Sequence, residues 1–303
     1  MAFPLAAALA VGLNLLVAAP ALSQAPASPP PPGESVDQSL SPECRVPGSR
    51  LYSLASLRGV KRALREQRAI KVLAIGSSST AGVGASSPMA TYPARLEGEL
   101  EKLFPNVEVD VVNRGLAGEI AAGAARRMKD TVAEVEPDLV VWQVGTNDAI
   151  ARVEVDSFAA SMAETVEWLK GHKIDVVLVD PQYTASLAKD DYYAAMVKTI
   201  EEVARKSRVP LVRRYEAMRF MAGRAKDDAY LARDHFHLND LGYRCMAEHV
   251  ARAVTVGLLL AEPSPSSADS ATPPRVEAAA PAAPAAPATT AESTVPPPAP
   301  TPR

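Results

Sequence analysis

Lys71-Val72-Leu73-Ala74-Ile75-Gly76-Ser77-Ser78-Ser79-Thr80-Ala81-Gly82 is the stretch whose reading decides the fold. A short apolar run stops at a glycine and passes into small hydroxylated residues. Runs without polar alternation belong to strands covered on both faces, hence to a parallel sheet. Three further runs repeat the pattern. Val107 to Val112 ends at Asn113, Leu139 to Val144 ends at Gly145, and Ile174 to Val179 ends at Asp180-Pro181. Leu211-Val212 is a weaker fifth.

The segments between these runs carry apolar residues at helical spacing. Leu96, Leu100 and Leu103 form one stripe, and Phe158, Met162, Val166 and Leu169 a second. Tyr193, Met196, Ile200 and Val203 form a third, while Leu241, Cys245 and Val250 face the last helix inward. The alternation predicts a three-layer α/β/α sandwich around a central, mostly parallel, five-stranded sheet. Ligands of such sheets bind beyond the carboxyl ends of the strands, so the residues just after Ile75, Val112, Val144 and Val179 are the ones to read for chemistry.

Composition sets the limits of this unit. Of 27 prolines in 303 residues, nine fall in 1–47 and twelve in 263–303, which leaves six for the middle. The middle, about 50–262, is one domain large enough to bury a core. A formal net charge of −3, no long basic run and 5% aromatic residues argue against a nucleic-acid partner. Residues 5–22 are apolar and uncharged, and Ala21-Leu22-Ser23 offers small residues at the spacing a signal peptidase reads. Residues 1–23 are therefore expected to be a signal peptide, which implies an exported, periplasmic or extracellular protein. An uncleaved anchor is the alternative, opposed by the short span and by Asn14 and Pro20 within it. Residues 24–49 read as a Pro/Ser-rich linker and 263–303 as a disordered Ala/Pro-rich tail. These flanks are candidates for association with the cell envelope. The two cysteines, Cys44 and Cys245, show no metal-site spacing; a bridge in an exported chain and a pair of free thiols both remain open.

Chemistry is carried by four loops. Gly76 to Gly82 is not a P-loop, because no Gly-Lys-[Ser/Thr] follows, and not a dinucleotide fingerprint, because Gly82-Val83-Gly84 runs on into Ala85-Ser86-Ser87. It is not Gly-x-Ser-x-Gly either, since Thr80 stands where the last glycine belongs. What remains is a serine hydroxyl on a tight strand-to-helix turn, where free N–H groups favour negative charge. In Asn113-Arg114-Gly115-Leu116-Ala117-Gly118 a glycine lets a backbone N–H approach a reacting oxygen. In Gly145-Thr146-Asn147-Asp148 a side-chain amide can donate to a developing oxyanion. In Asp234-His235-Phe236-His237-Leu238-Asn239 a carboxylate three residues before an imidazole can curl back to hold its Nδ1–H, freeing Nε2 to take a serine proton. A His235/His237 metal site is the rival chemistry, and it lacks further clustered ligands. Gln182 and Tyr183 read either as substrate contacts or as loop filler, and Arg114 either as an anion partner or as a structural arginine.

Taken together and in this order, the four blocks resemble the SGNH (GDSL-like) hydrolase superfamily over about residues 70–258. The resemblance places the nucleophile on Ser78, the base on His237 and the orienting acid on Asp234. It places the oxyanion hole on the N–H groups of Ser78 and Gly118 and the amide of Asn147. One departure stands out: the family's Gly-Asp-Ser reads Gly76-Ser77-Ser78 here, which leaves Ser77 and Ser79 as fallback nucleophiles. The activity implied is acyl transfer from an ester to water, with no metal or organic cofactor and a small-molecule or glycan ester as substrate. O-acetyl glycan is the leading substrate class. A lysophospholipid or short lipid ester, transfer to a sugar acceptor, and a non-catalytic envelope-binding module on the same fold are the alternatives.

Overall fold

A computed structural model describes residues 35–225 and 228–260. The expected signal peptide, the first part of the expected linker and the tail lie outside the described residues. The sheet has six strands: β1 (Tyr52–Ser53), β2 (Ile70–Gly76), β3 (Val109–Gly115), β4 (Leu139–Gln143), β5 (Asp175–Val179) and β6 (Leu211–Val212). Their order is β1-β6-β5-β4-β2-β3. Strands β2 to β6 are parallel neighbours in the flavodoxin-like order, and the chain reverses its direction of travel between β2 and β4. That switch point opens the crevice in which a ligand is expected.

The count of five strands is corrected to six. The extra strand, β1, is two residues long and pairs antiparallel with β6 through Tyr52↔Val212 and Ser53↔Leu211. It lies next to Pro-rich sequence and has no apolar run for a pattern reading to detect. The second strand also sits later than expected, at Val109–Gly115 and not Val107–Val112. It is an edge strand, so its burial is partial and its apolar pattern blurs.

Both faces of the sheet are apolar, as the unalternating runs require. Val72 and Ala74 of β2, Leu139 and Val141 of β4, and Val177 and Val179 of β5 face one core. Leu73, Ile75, Val140, Trp142, Val176 and Leu178 face the other. Ten helices are described: α1 (Gly48–Leu51), α2 (Arg58–Arg65), α3 (Ser78–Ala81), α4 (Tyr92–Leu103), α5 (Ala121–Val135), α6 (Thr146–Ile150), α7 (Val155–Gly171), α8 (Asp191–Ser207), α9 (Arg214–Ala222) and α10 (Asp240–Leu259). The first face is covered by α1, α2, α4, α9 and α10, the second by α5, α7 and α8. Each large aliphatic side chain so covered contributes about 1.5–3 kcal/mol relative to exposure in water. The predicted stripes of α7 and α8 are fully buried; Leu103, expected on the α4 stripe, is instead 42% exposed at the last turn.

Residues 35–49, expected as the end of a linker, pack onto the domain. Val36 bridges to Pro47, and Leu40, Cys44 and Val46 are buried. A disulfide joins Cys44 to Cys245 on α10, with their Cα atoms 5.0 Å apart. Ser41 hydrogen-bonds Glu248, Arg252 pairs with Asp37 at 2.7 Å, and the His249 ring donates from Nε2 to the Cys44 carbonyl at 2.8 Å. Composition alone missed this strap because its few apolar residues are anchored by a bridge and by ion pairs that proline content does not reveal.

Candidate active site

The three adjacent serines have separate environments. Ser77, just before α3, donates both its backbone N–H and its hydroxyl to Gln143 Oε1, each at 3.1 Å. Ser79 Oγ accepts from Arg214 Nη1 at 3.1 Å. The Ser78 hydroxyl makes no hydrogen bond among the described residues. Ser78 opens α3, a single turn closed by bonds from Gly82 N and Val83 N to its carbonyl. Its N–H lies at the turn's start and has no acceptor among the described residues, as expected for a first-turn donor. Of the three, only Ser78 offers both an uncommitted hydroxyl and a free N–H.

The second block approaches this turn closely. A Cβ on Gly115 would fall 2.1 Å from Ala81 N, so only glycine lets the end of β3 lie against α3. Asn113 fastens the contact, donating from Nδ2 to Thr80 O at 2.8 Å and accepting from Gly115 N at 2.9 Å. Gly118 has open space around it, and its requirement is conformational, with φ +81°. The Gly118 N–H has no acceptor among the described residues.

The third block is tied to the second. Asn147, in α6, donates from Nδ2 to Glu119 O at 2.9 Å, which leaves the second amide hydrogen for a ligand. Asp148, buried beside it, accepts from Ala121 N at 2.9 Å. Burial pushes the Asp148 carboxyl upward, and its backbone hydrogen bonds oppose that shift. Glu119 is itself held by Arg127 at 2.7 Å.

In the fourth block His237 Nδ1 lies 2.6 Å from Asp234 Oδ2, while the backbone N–H groups of Phe236 and His237 both donate to Asp234 Oδ1 at 3.0 Å. The bond to His237 holds the Asp234 carboxyl well below the usual carboxylate range, at about 2, with the two backbone donors helping. With Nδ1–H engaged, Nε2 is the free basic nitrogen of His237. Asn239 ends the loop as the N-cap of α10, accepting from Gly242 N and donating to Ala229 O and Leu231 O. His235 points elsewhere, to Asp228. Among the described residues no group of three or more His, Cys, Asp or Glu side chains could hold a metal ion. The base loop meets the nucleophile turn at Gly84, where an added Cβ would sit 3.2 Å from His237 Cβ and 2.5 Å from Leu238 O. A shallow groove of about 910 Å³ runs beside this loop, lined by Gly84, Ser86, Leu231, Asp234, Asp240 and Leu241 among others.

Two expectations at the rim take their bland form. Gln182 is 1% exposed and engaged internally, so it is not a surface contact for substrate. Arg114 pairs with Glu134. Two residues went unread in the sequence. Gln143, at the end of β4, receives Ser77 as described above. Arg214 follows the carboxyl end of β6 and is 2% exposed. Its signal was its place after the fifth, weakest strand, where a pair of arginines otherwise reads as a solvated surface.

A family model described as the non-GDSL lipase-like family matches residues 43–259. An acetylxylan esterase of Geobacillus stearothermophilus is 27% identical over 156 residues, which are 44% of this chain and 71% of that protein. The solved structure of a two-domain esterase active on acetylated mannans superposes with a TM-score of 0.60 at 20% identity, covering 71% of this chain and 58% of that one. The chain thus spans little more than half of that esterase. The Axe2 acetylxylan esterase of Geobacillus stearothermophilus superposes at 0.54 with 22% identity, over 62% of this chain and 94% of that one. At these identities the structural likenesses speak for the fold. With the family model covering most of the domain and the sheet in the matching arrangement, the chain belongs to the non-GDSL lipase-like family, within the SGNH-type ester hydrolases.

Proposed function

We propose that this protein is an exported serine esterase that removes short acyl groups, foremost O-acetyl groups of glycans. The observation that carries the reading is the division of labour among these side chains: Ser77 and Ser79 are engaged, Ser78 is free, and His237 is fixed by Asp234 with Nε2 available. Ser78 attacks the ester carbonyl as His237 Nε2 takes its proton, and Asp234 stabilises the imidazolium. The negative oxygen meets the N–H groups of Ser78 and Gly118 and the remaining Asn147 amide hydrogen, each donor worth about 3 kcal/mol by deletion. His237 returns the proton to the departing alkoxide, and water releases the acid by the same route. The similarity to acetylxylan and acetylmannan esterases supports the glycan acetate assignment. The Cys44–Cys245 bridge supports export, since such bonds persist in oxidising compartments.

The test is acetate release from acetylated xylan and mannan, run beside a p-nitrophenyl ester series of rising chain length. The expected result is acetate release and a preference for the acetyl ester. A fluorophosphonate probe, mapped by mass spectrometry, is expected on Ser78. Intact protein that neither hydrolyses an ester nor takes the probe would leave a binding module in place of an enzyme.

A further inference from the structure

Arg214 is buried, and no carboxylate forms an ion pair with it among the described residues. Removing a guanidinium from water costs several kcal/mol unless its donors are matched, so its bonding pattern asks for a purpose. Its Nε donates to the Asp180 carbonyl at 3.0 Å, Nη1 to Ser79 Oγ at 3.1 Å, and Nη2 to Gln182 Oε1 at 3.0 Å; Met246 Sδ lies 3.7 Å from Nη1. Gln182 carries the connection further. Its Oε1 also accepts from Thr146 Oγ1 at 3.2 Å, and its Nε2 donates to Phe236 O at 3.4 Å.

The endpoints are not arbitrary. Ser79 adjoins Ser78, Thr146 adjoins Asn147, and Phe236 adjoins His237. We infer that Arg214 and Gln182 are positioning residues that hold the nucleophile turn, the oxyanion amide and the base loop in register for the proposed ester hydrolysis. The fork geometry suits this task. From one rigid plane the guanidinium grips the nucleophile turn at Ser79 and, twice, the segment after β5 at Asp180 and Gln182, which a lysine on a flexible stem cannot do, and Gln182 carries the connection on to Thr146 and Phe236. The nucleophile turn, the Asn147 amide and the base loop come from distant parts of the sequence. Their relative placement to a fraction of an ångström therefore needs a buried strut, because a shift of about 1 Å between reacting groups can cost about a hundredfold in rate.

The inference rests on the esterase reading, and its test separates the two. Gln182→Met, Thr146→Val and Arg214→Lys are compared with wild type for kcat and KM on p-nitrophenyl acetate, with fluorophosphonate labelling rate and thermal unfolding measured alongside. Gln182→Met is expected to lower kcat and the labelling rate about 10- to 100-fold with KM within about threefold, because alignment and not binding is lost. Thr146→Val, which removes one hydroxyl at nearly constant volume, should lower kcat in the same sense, and it carries the test if Gln182→Met does not fold. Combining the two should cost less than the product of the single effects, since both cut the same strut. Arg214→Lys keeps the charge without the fork and should remain impaired. An active wild type whose Gln182→Met and Thr146→Val variants fold and keep kcat within twofold overturns the inference alone, as does full activity in Arg214→Lys. A wild type without esterase activity or labelling overturns the esterase reading and this inference together.

Discussion

Asn147 donates one amide hydrogen to the backbone carbonyl of Glu119, the residue after Gly118, at 2.9 Å. Two members of the proposed oxyanion hole are thus fixed to each other before any substrate arrives. Preorganised donors need no rearrangement when charge develops, and this is the source of their effect in a water-poor site. Asn147→Ala should lower kcat by about 10²–10³-fold with little change in KM, since the bond forms fully only to the oxyanion. Steady-state kinetics on a p-nitrophenyl ester measure it; a loss confined to KM would place Asn147 outside the hole.

The triad variants should differ from one another. Ser78→Ala and His237→Ala remove reacting groups, and each is expected to lower kcat by at least about 10⁴-fold. Asp234→Ala leaves the nucleophile and the base and should retain about 10- to 100-fold more activity than either, because this residue orients the imidazole and does not react. The double variant Ser78→Ala/His237→Ala should be no worse than the singles, as expected for groups that act as one unit. A fully active Ser78→Ala would transfer the nucleophile to another side chain.

The His237 bond keeps Asp234 ionised down to about pH 2. Its folded value lies below the ordinary aspartate value near 3.9, so the stability it contributes is present above that value and fades as pH falls toward 2. Over the range in which enzyme rates are usually followed, Asp234 changes its charge little. The acid limb of kcat/KM above pH 4 should therefore carry no ionisation of Asp234, and its limiting slope there should not exceed one. A slope of two above pH 4 would mean that Asp234 titrates within the working range.

Particular elements explain what could be read from the chain and what could not. The apolar runs of β2, β4 and β5 were legible because both of their faces are buried, so each residue reports the same environment. Three of the four site loops were legible because they follow the ends of β2, β3 and β4, where the fold itself directs function; the fourth, between α9 and α10, was legible from its Asp234-x-x-His237 spacing. β1 is two residues long, too short to carry a period, and β6, equally short, read only as the weaker fifth run. Arg214 was hidden because its burial depends on Asp180, Ser79 and Gln182 converging from distant segments, and an arginine beside another arginine reads as surface. Gln182 was noticed for its position, but its buried bonds to Arg214 and Thr146 were not legible, for the same reason. The choice of Ser78 over its neighbours came from family alignment, and only the partners of Ser77 and Ser79 give it a physical basis.

The Cys44–Cys245 bridge closes a loop of 201 residues and pins the strap 35–49 to α10. Cross-linking positions so far apart restricts the unfolded chain strongly, and loss of the bridge should cost about 2–5 kcal/mol. For a domain of this size that corresponds to a fall in Tm of roughly 5–15 °C. A Cys44→Ala/Cys245→Ala variant, followed by differential scanning calorimetry, should show it. Esterase activity at 25 °C should persist, since neither cysteine lies in the four site loops. An unchanged Tm would mean that the strap is held by Ser41–Glu248 and Asp37–Arg252 alone.

Beneath the strap, burial pulls the His249 imidazole down to about 4, while its bond to the Cys44 carbonyl opposes the shift. In the unfolded chain the same ring titrates near 6.5. The sign follows from which state binds the proton. Between these values the unfolded chain is protonated and the folded one is not, so stability falls as pH drops through 6.5 and this contribution levels off near 4. A gap of this size corresponds to about 3 kcal/mol once both values are passed. Asp37 nearby is a separate case: its hydrogen bonds from Ser39 and Arg252 outweigh the upward pull of burial and hold it at about 2, so its effect on stability appears only at lower pH. Urea unfolding of wild type and His249→Gln at pH 7 and pH 4.5 isolates the ring, because every other group titrates in both proteins. Wild type should lose about 2–3 kcal/mol more than the variant between the two pH values. Glutamine retains an N–H donor for the Cys44 carbonyl, so the comparison removes the proton site and keeps the bond. Equal losses in the two proteins would show that His249 takes up its proton while the strap stays folded.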